Sequence, residues 1–309
     1  MGSRLAGFFA FSVSAVSSVA IADGPSGPVG EYGGRWIGGT EIRVLDVSAP
    51  ALRRIDRATM SSSILPLAGA DAPLDPYGVA LPADGTVWVL ADKGRFLFRF
   101  SRTSGDRVEK RRLADPCQGI ATFWDHAGFI AVRLRPNERM VLRAENGALR
   151  PFSSVVSRSA PGLPEHLIAN LLRCGSGTRF AVPCWFLAGA PEVLLLDRSG
   201  GVRSAIVPSF ALPSRARGLS REPGVGFTYP VRDVFLLEGG ALWVLTNQEG
   251  DRTPVEEGAS RGRHAVLVRG GRSERLVSFD REAKAILDAT ERSLVVLFAD
   301  GSVGRAAAP

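Results

Sequence analysis

The chain carries a diverged internal repeat whose unit cannot bury itself, and this limits the folds open to it. Residues 77–112 read YGVALPADGTVWVLADKGRFLFRFSRTSGDRVEKRR. Period-two alternation and turn signals divide this run into four short strands: Tyr77–Leu81, Thr86–Ala91, Phe96–Phe100 and Arg107–Arg112. Ala83-Asp84-Gly85 and Ser104-Gly105 form turns, and an Asp-Gly pair between apolar runs is a strong hairpin signal. The order of elements returns at residues 119–152, 167–207 and 231–279, and a copy at 285–307 lacks its fourth strand. First strands begin near Gly78, Gly119, Ile168, Val231 and Ala285, a spacing of about 40–60 residues.

A single four-stranded sheet that is apolar on both faces must stack against neighbours, and a ring of such sheets hides every face. The expected fold is therefore an all-β propeller of five or six four-stranded blades. Five starts are plain, residues 36–70 can supply a sixth, and length favours six. A β-sandwich also uses alternating strands and Gly turns, but it does not repeat one order of elements. The strand Glu41–Val47 is expected to supply the missing strand of the last blade and close the ring, removing an open edge.

The first full repeat resembles the NHL-type repeat of six-bladed propellers. The likeness rests on Pro76, Tyr77-Gly78-Val79-Ala80, Asp84-Gly85, Val87-Trp88-Val89, Ala91-Asp92, Arg95 and the strand Phe96–Phe100. It covers about forty residues well and the other repeats loosely. In that family the Asp and Arg mostly tie a blade together, which implies structural roles for Asp92 and Arg95. The family resemblance also brings lactonase-like hydrolases into view. Those enzymes hold Ca²⁺ in the central channel, and a hard cation needs converging oxygen ligands. Asn170, Asp233 and Asp288 are the residues on first strands that offer them.

Residues 1–22 are read as a secretory signal peptide, leaving 23–309 as one propeller domain. Arg4 gives the positive start, Leu5–Val19 the apolar run, and Ala20-Ile21-Ala22 the small-x-small cleavage site. Four serines dilute the apolar run below what a stable membrane span requires. The mature protein is expected to be exported, periplasmic or extracellular, with no stable membrane span.

Export places Cys117, Cys174 and Cys184 in an oxidising compartment, where three thiols allow one bridge at most. Cys117 precedes the first strand of one blade and Cys184 ends the second strand of the next, so both fall at the same face. Cys174 falls at the other. A Cys117–Cys184 bridge is the expected pairing.

No Walker-type phosphate loop is present. His126 and His264 flank strands at polar turns and read as solvated. Residues just before the first strands gather at one mouth of a propeller, which makes Tyr77, Gln118, His166, Tyr229, Arg232 and Asp233 the candidate ligand-binding set. The expected role is a protein- or small-molecule-binding module without a cofactor. A metal-dependent lactonase-like hydrolase and a structural part of a cell-envelope assembly are the alternatives. The chain has 38 Lys and Arg against 31 Asp and Glu. Export argues against nucleic acid as the partner of this surplus and leaves an anionic surface, with residues 215–221 as a basic patch.

Overall fold

The computed structural model describes residues 20–21, 29, 32–48, 50–68, 76, 78–122, 129–135, 138–145, 148–154, 173–174, 180–184, 192–196, 202–206, 231–237, 239–246 and 262–308. Every regular element among them is a β-strand.

The strands form six four-stranded antiparallel sheets. The first sheet runs through Tyr32–Ile37, Glu41–Asp46, Ala51–Asp56 and Ser62–Pro66. The second takes Gly78–Ala80, Thr86–Ala91, Phe96–Ser101 and Arg107–Arg112. Cys117–Thr122, Phe129–Arg135, Glu138–Glu145 and Ala148–Ser154 build the third. The fourth has Arg173–Cys174, Phe180–Cys184, Glu192–Leu196 and Val202–Ile206. The fifth has Val231–Leu236, Leu242–Thr246, His264–Arg269 and Arg272–Ser278. The sixth contains Ala283–Ala289, Ser293–Phe298 and Val303–Ala307, and its outer place is taken by the two residues Ala20–Ile21.

The repeat read from the sequence is present as sheets; the first-strand start expected near Ile168 lies outside the described residues, and one assignment is corrected. Glu41–Asp46 does not join the last sheet. It is the second strand of its own sheet, paired with Tyr32–Ile37 and Ala51–Asp56. Short connections explain this: antiparallel partners three and four residues away form before a strand more than 250 residues downstream can compete. The last sheet instead pairs Ala20 with Arg305 and Ile21 with Gly304, and both residues fall within the segment expected to be a signal peptide.

First strands of successive sheets lie against one another, and the first strand of the sixth sheet lies against that of the first. Between neighbouring sheets the alternating side chains interdigitate. Leu45, Leu52 and Trp36 meet Val79, Val87, Phe98 and Phe100 between the first and second sheets. Phe235, Trp243 and Leu267 meet Ile286, Val296 and Phe298 between the fifth and sixth. Ile42, Val44 and Ile55 meet Ala285, Leu287 and Leu297 between the sixth and first, where Val29 is also buried. Both faces of a strand such as Thr86–Ala91 are buried, which accounts for its near-continuous apolar sequence. Burying a large side chain of this kind contributes about 1.5–3 kcal/mol.

Candidate functional site

The candidate residues meet different fates in the structure. Gln118 lies in the first strand of the third sheet, and Arg232 in that of the fifth. Tyr77, His166, Tyr229 and Asn170 lie outside the described residues. Asp233 and Asp288 are described in full.

Asp233 sits beside a register shift in the fifth sheet's first strand. Its side chain is 1% exposed. One carboxylate oxygen accepts a 2.5 Å bond from the Arg35 guanidinium and a 2.9 Å bond from the Ile286 amide. The other accepts from the Val234 amide at 2.9 Å. Arg35, itself 2% exposed at its side chain, also donates to the Val234 carbonyl at 2.9 Å and lies 5.5 Å from the Phe235 ring centroid. Arg35 belongs to the first sheet, Asp233 to the fifth and Ile286 to the sixth. This one cluster therefore joins the first strands of three sheets.

Asp288 is engaged by a different arginine. Arg57, in the turn after the first sheet's third strand, donates to it through Nε at 2.8 Å and Nη2 at 2.7 Å. Arg57 also reaches the carbonyls of Gly38 and Gly39 at 3.0 Å, while its own carbonyl accepts from Arg305 at 2.6 Å. Asp233 and Asp288 are therefore not brought together as one oxygen cluster. Each carboxylate is neutralised by an arginine from the first sheet. Among the described residues, no group of three or more His, Cys, Asp or Glu side chains is placed to hold a metal ion.

A third polar cluster lies between the first and second sheets. Glu41 accepts from Arg43 Nε at 2.8 Å, is paired with Arg54 Nε, and meets Arg102 at 3.4 Å. Arg102 in turn covers the Trp36 ring at 5.2 Å. Burial pushes the Glu41 carboxyl up, but Arg43 and Arg54 outweigh it and hold the group below its ordinary 4.5.

Sequence reasoning selected Asp233 and missed Arg35 and Arg57, the residues that decide what the two aspartates do. The one available signal was an arginine within a strand, Arg35 between Gly34 and Trp36, since a charge there must find a partner.

Connections are distributed unevenly between the two ends of the sheets. Segments 22–31, 67–77, 155–172, 185–191, 207–230 and 247–263 each have both ends where first strands begin. At the opposite end none is longer than residues 123–128.

The architecture is that of the β-propellers. Solved structures similar to the chain include U3-55K, with a TM-score of 0.57 at 10% identity, covering 95% of this chain and 99% of that one. Hydrazine synthase of Kuenenia stuttgartiensis gives 0.54 at 12% identity over 89% of this chain and 75% of that one. Virginiamycin B lyase from Staphylococcus aureus gives 0.52 at 12% identity, covering 88% and 79%. At such identities the likeness establishes the fold. No known family model matches the sequence, and no curated protein matches it. No helix among the described residues is long and apolar enough to cross a membrane.

Proposed function

We propose that the chain is an exported six-bladed, NHL-like propeller that serves as a binding module for a protein or small-molecule ligand. Six four-stranded sheets and the contact of the sixth sheet's first strand with that of the first support the blade count and a closed ring. The observation that carries the binding reading is the uneven distribution of connections. Every connection longer than six residues starts and ends at one end of its sheet, and long connections on a rigid frame commonly carry recognition. Gln118 and Arg232 lie at the starts of first strands at this end, and together with Tyr77, His166 and Tyr229 they form the proposed ligand-contacting set.

Asp233 leaves that set. Its oxygens are taken by Arg35, Ile286 and Val234, so it serves as a pin between sheets. The same argument weighs against a Ca²⁺ site built on Asp233 and Asp288, and hence against the lactonase-like alternative. With export we also propose a Cys117–Cys184 bridge, and an anionic surface as the counterpart of the basic segment 215–221.

The test is a thermal-shift screen of residues 23–309 against Ca²⁺, lactones, sugars and acidic peptides. A parallel variant has residues 211–225 replaced by a short Gly-Ser linker. Binding at the long connections predicts a ligand-induced rise in Tm that the variant loses while keeping its ligand-free Tm. A rise with Ca²⁺ alone, accompanied by lactone hydrolysis, would establish the enzyme reading in its place.

A further inference from the structure

The sixth sheet differs from the other five in how its outer place is filled. Elsewhere the fourth strand has five to seven residues, as in Ser62–Pro66 and Arg272–Ser278. In the sixth, the strand Val303–Ala307 is covered on its outer side by Ala20 and Ile21 alone among the described residues. Under the export reading, on which this inference rests, cleavage before Asp23 removes both.

The ring does not need that strand to stay closed. Arg35–Asp233 and Arg57–Asp288 already fasten the first sheet to the fifth and sixth. Val29 adds a bond from its amide to the Gly301 carbonyl. We infer that the Val303–Ala307 edge of the mature protein is a strand-acceptor site, taking an antiparallel extended segment of a partner protein that carries a carboxylate opposite Arg305.

Three observations define the occupant. The seating of Ala20–Ile21 shows that an extended segment fits the edge in antiparallel register. An uncovered edge offers a row of backbone donors and acceptors to such a segment. Along this edge Gly304 and Ala306 are buried while Arg305 and Ala307 are exposed, so small residues are required at the flanking positions and the cation is the feature available for recognition. A second copy of this chain does not suit the edge: antiparallel self-pairing about its centre sets Arg305 against Arg305, and like charges directly opposed are destabilising. The chain's own new N-terminus is also a poor strand, because Pro25 and Pro28 cannot donate to a ladder.

The exported protein is first weighed intact, and the residues 23–309 form is then titrated with a fluorescent peptide of residues 16–24, VSSVAIADG. Three companions accompany it: the peptide with Ala20→Glu, the peptide methylated at the Ala20 and Ile21 amides, and the protein with Arg305→Glu. A mass that begins at Asp23, saturable binding, about two- to five-fold tighter binding of the Glu peptide, and a loss of at least about tenfold on methylation are expected. Arg305→Glu reverses the preference between the two peptides, and circular dichroism confirms that this variant is folded. A mass beginning at Asp23 with no binding, or with binding indifferent to methylation, overturns the acceptor site and leaves export standing. A mass that retains residues 20–21 overturns both. Dimerisation of the peptide-free protein by sedimentation overturns the assignment to a separate partner.

Discussion

Removing either half of the Arg35–Asp233 pair leaves the other charge in a place that is only 1–2% exposed. Asp233→Asn or Arg35→Met is therefore expected to lower unfolding stability by about 3–5 kcal/mol, read from urea denaturation midpoints. The double substitution is expected to cost less than the sum, because no charge is then stranded. Purely additive losses would mean that the two side chains do not act as a pair. Glu41 gives a pH-dependent counterpart. Its carboxyl is held below 4.5, so its stabilising contribution is complete above that value and is lost as pH falls through the lower, folded-state value. Measured from neutral pH downward, the Tm gap between the wild type and Glu41→Gln should be widest near neutrality and close in acid. A gap that widens on acidification would contradict the arrangement. The sequence made Asp233 visible as a carboxylate in an apolar strand, but its partner lies 198 residues away. Pairings at that range leave no periodic trace, which is why the site could be located and its chemistry could not.

Turns and seams between elements carry the next set of consequences. Gly105 adopts φ +77° in the turn before the second sheet's outer strand, and a Cβ there would lie 2.0 Å from the Pro66 carbonyl oxygen. That close approach belongs to a corner where Ala68 and Asp106 bridge the first two sheets. Gly85 has the same φ, with nothing within 4 Å of its Cβ position. Gly85→Ala should thus cost about 1 kcal/mol for backbone strain alone, whereas Gly105→Ala should cost about 3 kcal/mol by opening the corner; equal melting shifts would refute the steric argument. Cys117 is buried at the start of the third sheet's first strand, and Cys184 ends the fourth sheet's second strand. Non-reducing peptide mapping is expected to recover the two joined with Cys174 alkylated, and a bridge to Cys174 would overturn the pairing. Strands with Asp-Gly and Ser-Gly turns were legible because turn chemistry is local. The allocation of Glu41–Asp46 was misread because alternation identifies a strand without identifying its sheet.

At the scale of the whole molecule, the sixth sheet separates two large apolar surfaces. Phe235 and Trp243 press on one side of it, Ile42 and Ile55 on the other. Deleting residues 283–308 uncovers both, so loss of soluble folded protein is expected rather than a five-sheet remnant, as read by gel filtration and limited proteolysis. A compact, protease-resistant 23–282 fragment would show that the sheets are independent. The ion pairs that clasp the first sheet to the last two carry a further implication for timing. Arg57 emerges 231 residues before Asp288, and closing so long a loop is slow relative to forming each hairpin. The first sheet therefore waits, assembled locally but not fastened, until the final strands are made. A chain whose latch depends on Asp288 stays open until that segment has been made, a delay that suits the proposed export.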